Sequence, residues 1–249
     1  MLTLFVLAAA AAAVSPSPSI AGQAARGAQC SALAKREPAK AIEEAQAWQR
    51  AGGGMAARQC LGIAQVGLSQ YAAAAATFES AARDAQIAQN PLAVVLWMQA
   101  GNAALANAEP VRARAAFDRA LALPGLSGEM KGEVWLDRAR AGVEAGDIAG
   151  ARADLDEATR LVPRDPLGWL LAANLARKAK DMPKAFAAIR EAARLAPGDP
   201  AISYEAGNIA AASGNMDDAR SAWTQAATAA PDSDAGQAAA LALQAGTAP

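Results

Sequence analysis

Small, large apolar and proline positions recur in the second half of the chain at one fixed spacing. Two columns hold alanine, and four others hold proline, tryptophan, a large apolar residue or a small residue. In that order they are Ala151/Ala185/Ala219, Ala158/Ala192/Ala226, Pro163/Pro197/Pro231, Trp135/Trp169, Leu155/Ile189/Trp223 and Ala139/Ala173/Gly207. Independent columns that share one period indicate a repeated structural unit.

Each column has a mechanical explanation in a pair of helices. A small residue and an alanine let two helices cross closely, and the large apolar slot fills the space to the next pair. Proline ends the second helix because it lacks the N–H that a helix interior needs. Asp165-Pro166 and Asp199-Pro200 then supply an N-cap and a first-turn proline for the next helix. Gly146-Asp147 and Gly214-Asn215 predict the turn within a pair.

These positions resemble the tetratricopeptide repeat family, whose pattern runs Trp, Gly or Ala, Ala, an aromatic residue, Ala and Pro. The resemblance is close over 132–165, 166–199 and 200–233, and looser over 94–127 and 55–88. The looser repeats keep Trp97, Gly101, Ala113, Phe117 and Ala120 in one case, and Gly62, Ala74, Phe78 and Ala81 in the other.

The resemblance implies an all-α fold, a right-handed superhelical solenoid of antiparallel helix pairs. Five repeats would cover 55–233, after a degenerate half-repeat over 22–54 whose helix begins at Glu37-Pro38 and runs to about Arg50. Residues 234–249 would form a capping helix, Asp234 to Gln244, and a tail, because a terminal repeat needs a cover for its exposed face. A plain antiparallel bundle would not require columns at this long period.

The beginning of the chain is typical of an export signal. The apolar run from Leu2 to Val14 is shorter than the about 20 residues that cross a bilayer, and Ser19 and Ala21 fit the small-residue cleavage pattern. No Lys or Arg precedes the run, which departs from the usual signal. Pro16 and Pro18 disfavour a first helix there. We predict a signal peptide over 1–21 and a periplasmic location.

Cys30 and Cys60 are the only cysteines of the chain. In an exported protein an even cysteine count favours a disulfide. Closing a loop of about 30 residues would stabilise the fold by roughly 3–4 kcal/mol on the chain-entropy model. Two buried free thiols are the alternative.

Composition narrows the function further. Histidine is absent, so Ser-His or Cys-His nucleophiles and His-ligated zinc cannot form. The formal net charge is −1 with mixed signs along the chain, and no basic stripe suggests nucleic acid. We expect no enzyme activity, no cofactor and no metal site.

In the family that the chain resembles, the first helix of each pair lines the inner surface on which a partner lies. Positions are counted from the first residue of the repeats 94–127, 132–165, 166–199 and 200–233. Position five is apolar, at Met98, Leu136, Leu170 and Tyr204. Position nine is an amide or guanidinium, at Asn102, Arg140, Asn174 and Asn208. Asn pairs with both N–H and C=O of an extended peptide, and Arg140 and Arg177 suit a carboxylate. We predict a peptide-binding groove; packing between neighbouring helices is the alternative role.

The resemblance implies a scaffold for a protein or peptide partner, and the predicted signal peptide makes it an exported one, associated with the membrane only through its partners or an uncleaved leader. The alternative is a chaperone-like subunit that delivers envelope proteins for maturation or assembly. Carboxylate-only hydrolysis would need an acidic pair in the groove. Only Glu133 and Glu144 qualify, and both belong to one helix, so this reaction is not favoured.

Overall fold

The computed structural model describes residues 20–245, which form helices and the turns between them. Residues 1–19, nearly all of the predicted signal peptide, and residues 246–249 of the predicted tail lie outside the described residues. No strand occurs in the described range, so the all-α fold class is confirmed. The chain divides into two compact units between Leu68 and Ser69, a boundary inside the predicted repeat 55–88.

The first unit consists, in its described part, of α1 (Ile20–Arg36), α2 (Pro38–Arg50) and α3 (Gly54–Gly67), each packed against the other two. Its core cluster contains Cys30 of α1, Trp48 of α2 and Cys60 of α3, all at most 5% exposed. A disulfide joins Cys30 to Cys60, whose Cα atoms lie 5.8 Å apart. The crosslink therefore connects the first and third helices of this unit through its core.

The second unit is a stack of helices in which each helix packs against the next along the chain. Within the described residues the helices are α4 (Tyr71–Ile87), α5 (Leu92–Ala106), α6 (Pro110–Leu121), α7 (Gly128–Glu144), α8 (Ile148–Leu161), α9 (Pro166–Lys178), α10 (Met182–Leu195), α11 (Pro200–Ala212), α12 (Met216–Ala229) and α13 (Asp234–Ala245). We call α5, α7, α9 and α11 the first helices and α6, α8, α10 and α12 the second helices. First helices also contact one another, α5 with α7 and α9 with α11.

Local sequence signals set the helix ends. Asp165 accepts a hydrogen bond from the backbone N–H of Leu167 at 2.9 Å, and Asp199 accepts one from Ala201 at 2.8 Å. Both caps satisfy donors that a first helical turn leaves free. At the turn within a pair, Gly146 has a φ of +79°, a conformation that glycine adopts without steric cost. The repeat boundaries therefore follow from residues at the boundaries themselves.

The residue in the small column of the repeat depends on the size of the residue in the large apolar column. Gly101 faces the ring of Phe117, and Gly207 faces the indole of Trp223. A Cβ on Gly207 would lie 2.5 Å from Nε1 of Trp223, closer than real Cβ contacts allow. Where the large slot is aliphatic, as at Leu155, the small slot is alanine at Ala139. Glycine therefore accompanies an aromatic partner in these pairs.

We expect Gly207→Ala to destabilise the protein by about 1–3 kcal/mol, because the rigid indole of Trp223 cannot yield without repacking. Trp223→Leu added to Gly207→Ala should recover much of that loss, since it recreates the aliphatic combination. Thermal and urea unfolding measure both variants. Gly168→Ala is the control, because its Cβ would meet Thr159 at an ordinary 3.5 Å and should raise stability by up to about 1 kcal/mol. Equal effects at the two glycines would contradict the packing argument.

The last helix covers the end of the stack. Helix α13 packs against α12 and α11, with Ala239 fully buried in a cluster that includes Trp223. The helix spans Asp234–Ala245, the part of the chain for which a capping helix is predicted. Its outer side is largely polar or small, with Leu241 exposed.

Candidate protein-binding surface

All nine predicted groove residues lie on the first helices. Met98 and Asn102 belong to α5, Leu136 and Arg140 to α7, Leu170, Asn174 and Arg177 to α9, and Tyr204 and Asn208 to α11. The helical register therefore brings them to corresponding places on successive helix pairs. Their exposure and partners differ, and these decide what each can offer a ligand.

The apolar row is more deeply buried than an open groove requires. Leu136 is 5% exposed and packs with Ala139 and Leu155 in a core cluster. Met98, Leu170 and Tyr204 are partly buried, and the last two pack against neighbouring core clusters. Leu136 thus mainly supports the stack, while the other three keep some surface for contact.

Asp137 organises the polar row on α5 and α7. Its carboxylate accepts a hydrogen bond from Nδ2 of Asn102 at 2.9 Å and another from Nη1 of Arg140 at 3.1 Å. Asn102 is exposed, and the side chain of Arg140 is 43% exposed. The carboxylate therefore holds an amide from one first helix and a guanidinium from the next at the same surface.

Glu205 plays the same part on α9 and α11 and is only 4% exposed. It accepts hydrogen bonds from Nε and Nη2 of Arg177 at 2.7 and 3.2 Å, from Asn174 at 3.2 Å and from Asn208 at 3.3 Å. Oδ1 of Asn208 in turn accepts a hydrogen bond from the indole N–H of Trp223 at 3.1 Å. Three predicted groove residues are therefore bound to one buried carboxylate.

Sequence reasoning identified the donors of this surface and missed the acceptors. Asp137 and Glu205 occupy position six of their repeats, directly after the apolar residue at position five. Acidic residues do not recur at position six in every repeat, because Leu171 occupies it in the repeat between those of Asp137 and Glu205. A search for acidic residues beside the amide row would have found both.

The two acidic candidates lie far apart on one helix. Glu133 and Glu144 lie on α7 about 16 Å apart along the axis, from a rise of about 1.5 Å per residue. Glu133 is exposed, but partial desolvation raises its pKa, and the nearby carboxylates of Glu129, Asp137 and Asp165 raise it further. These side chains form an acidic area near the start of α7, apart from the exposed Glu144 at its end.

Charge pairs also connect successive second helices. Arg114 of α6 pairs with Asp147, the N-cap of α8. This contact lowers the pKa of Asp147, helped by the backbone N–H of Gly150. One repeat later Arg152 lies 3.5 Å from Asp181, the N-cap of α10. The same contact therefore recurs in consecutive helix pairs.

Two further features of the described residues concern ligands and membranes. Between residues 20 and 245 no group of three or more Cys, Asp or Glu side chains could hold a metal ion. Within that same range, no helix has the length and apolar character needed to cross a bilayer.

Repeated antiparallel helix pairs, with capped ends and small residues at the crossings, define an α-helical repeat protein. The family model described as tetratricopeptide repeat matches residues 61–127 and 136–200, together more than half of the chain. The chain therefore belongs to the tetratricopeptide repeat family. No protein with a curated function matches its sequence.

Solved structures share the fold at low sequence identity. PilF of Pseudomonas aeruginosa is 15% identical with a TM-score of 0.68, covering 89% of this chain and 99% of its own. A thermophilic TPR protein of Thermus thermophilus is 21% identical with a TM-score of 0.56, covering 77% and 100%. YrrB, described as a TPR protein with an unusual peptide-binding site, is 16% identical with a TM-score of 0.56, covering 79% and 96%.

Proposed function

We propose that this protein is an exported interaction scaffold that binds a peptide or protein segment along its first helices. The observation that carries the proposal is the polar row held in place by Asp137 and Glu205. Side chains fixed on rigid helices lose little conformational freedom on binding, which favours affinity. Family membership supports the same class of function, and YrrB, a fold relative, has a peptide-binding site.

The row retains capacity for a ligand. The Nδ2 groups of Asn102 and Asn174 each donate to a carboxylate, yet an amide nitrogen carries two hydrogens and the amide oxygen accepts as well. Each side chain can therefore still pair with the C=O and N–H of an extended peptide. The partly buried Met98, Leu170 and Tyr204 would contact its side chains.

The export part of the proposal rests on the apolar leader of the sequence and on the Cys30–Cys60 disulfide, because disulfides persist in oxidising compartments. Mass spectrometry of the protein from fractionated cells tests it. The expected species lies in the periplasmic fraction, with an N-terminus near residue 22 and no free thiol. A reduced, full-length protein in the cytoplasm would contradict export.

For the binding surface we expect Asn102→Ala/Arg140→Ala to weaken partner binding by about tenfold or more, because two hydrogen-bonding groups are lost. Affinity purification from the envelope fraction, followed by a dissociation constant for each captured partner, measures this. Gln225→Ala is the matched control, since it removes an exposed amide from α12, a second helix.

Support requires a partner that the wild type and Gln225→Ala capture equally and the double variant loses. Equal capture by all three proteins would contradict the proposed surface. Weak capture of many unfolded chains by the first helices would instead favour the chaperone-like alternative.

A further inference from the structure

The second helices carry a feature that the proposed binding surface does not use. Between α6 and α8, Arg138 of α7 reaches out across the gap. Its Nε donates to Asp118 of α6 at 2.7 Å, and its Nη1 donates to Asp154 of α8 at 2.6 Å. Its guanidinium carbon lies 5.1 Å from the ring centre of Trp135. We call this space the α6/α8 groove; an arginine side chain fills it.

The space between α8 and α10, over α9, is the α8/α10 groove. Of the four side chains described in the α6/α8 groove, two have an equivalent here. Trp169 lies one repeat after Trp135, at the same place on its first helix. Asp156 follows Leu155 on α8 as Asp118 follows Phe117 on α6, so the two carboxylates are also equivalent. An aromatic ring and a carboxylate therefore recur one repeat later.

The other two groups are replaced by alanine. One repeat on, Ala172 stands where Arg138 would be, and Ala188 stands in the place of Asp154. A cavity of about 180 Å³ occupies this groove, whereas roughly 150 Å³ suffices for a molecule of benzene's size. Its wall is largely apolar and includes Leu155, Trp169, Ala172, Leu175 and Ala188.

Three charged side chains line the cavity, and the two basic ones, Arg152 and Lys184, already pair with Asp181. Arg152 lies 3.5 Å from Asp181, which repeats the Arg114–Asp147 pair of the preceding groove, and Lys184 lies 4.0 Å from the same carboxylate. In the part of the chain that the structure describes, the side chain of Asp156 makes no hydrogen bond or ion pair. Asp156, which lacks a partner, is thus the counterpart of Asp118, which binds Arg138.

We propose that the α8/α10 groove binds an arginine side chain of a partner protein, in the position that Arg138 takes within this chain. The guanidinium would stack on Trp169 and donate to Asp156, and the aliphatic stem would lie on the alanine-rich wall. The indole N–H of Trp169 is engaged by the carbonyl of Pro163 at 2.9 Å, which fixes the ring that the guanidinium would meet.

N-acetyl-arginine N-methylamide is the probe, titrated into the ¹⁵N-labelled full chain while the indole resonance of Trp169 is followed. We expect saturable binding in the millimolar range for so small a ligand, about tenfold tighter than N-acetyl-norleucine N-methylamide, which lacks the charged head. Asp156→Asn should weaken the arginine probe by about tenfold. Ala172→Arg should abolish binding of the probe, because the new arginine would fill the groove as Arg138 fills the preceding one.

Asp217→Asn is the control, because it removes one negative charge as Asp156→Asn does. The Asp217 carboxylate is 94% exposed on α12, and its loss should leave the affinity for the arginine probe unchanged. Equal binding of the norleucine probe would overturn the proposal in favour of an apolar pocket. Preference for N-acetyl-glutamate N-methylamide, drawn by Arg152 and Lys184, would overturn it as well. Asn102→Ala/Arg140→Ala alters the first helices alone, so its result is independent of this test.

Discussion

Arg177→Val should destabilise the protein by about 3–5 kcal/mol, among the largest effects of any single substitution in the second unit. Arg177 is the charge partner of Glu205, and the two side chains are 23% and 5% exposed. Removing one member of a buried ion pair leaves the other charge without compensation in a poorly hydrated place. Asn174 and Asn208 would still donate to Glu205, but neutral amides do not replace the guanidinium.

The same chain contains an apolar version of this contact. One repeat earlier, Val143 takes the place of Arg177 and Leu171 takes the place of Glu205, and both pack against the core around Leu155. Replacing a buried ion pair by apolar residues of suitable size is often neutral or stabilising. We therefore expect Arg177→Val/Glu205→Leu to be more stable than Arg177→Val alone, with a coupling of about 2–3 kcal/mol.

Urea unfolding of the single and double variants measures this cycle, followed by circular dichroism and by tryptophan fluorescence, to which Trp223 beside Asn208 contributes. Arg194→Val is the control, because Arg194 is 64% exposed and pairs with Glu191 on its own helix. Such a surface pair contributes at most about 1 kcal/mol. A loss from Arg177→Val no larger than that of the control would show that Glu205 does not depend on its partner.

The ends of the helices follow from the sequence because their causes are local. Pro163 and Pro197 stop α8 at Leu161 and α10 at Leu195 through steric effects on their immediate neighbours. The caps at Asp165 and Asp199 act within three residues of themselves. Such rules need no knowledge of the tertiary structure.

The state of the polar row could not be predicted in the same way. The register places Asn174 and Arg177 on one face of α9, but their acceptor is Glu205, far along the chain on α11. That contact exists only because α9 and α11 pack together. Depth is likewise a tertiary property, and for this reason Leu136 is 5% exposed although position five was expected to face a ligand. Whether the row binds peptide stays a prediction.

Cys30→Ala/Cys60→Ala should lower the stability of the first unit by about 3–4 kcal/mol. The two residues are 30 apart in sequence, and a closed loop of that length restricts the unfolded chain by this amount on the chain-entropy model. The described part of this unit holds only α1, α2 and α3. A core of three helices supplies limited stability of its own, so the loss of the crosslink should be large for these helices.

Hydrogen exchange measured by mass spectrometry resolves this effect, because peptides from α1, α2 and α3 report on the first unit alone. We expect their protection to fall by about two to three orders of magnitude, since each factor of ten corresponds to about 1.4 kcal/mol. Wild-type protein treated with a reductant should show the same loss, which separates the missing bond from the altered side chains. Peptides from α9–α12, which contain no cysteine, serve as the internal reference. A loss of less than about tenfold would mean that Trp48 and the alanines around it hold these helices together without the crosslink.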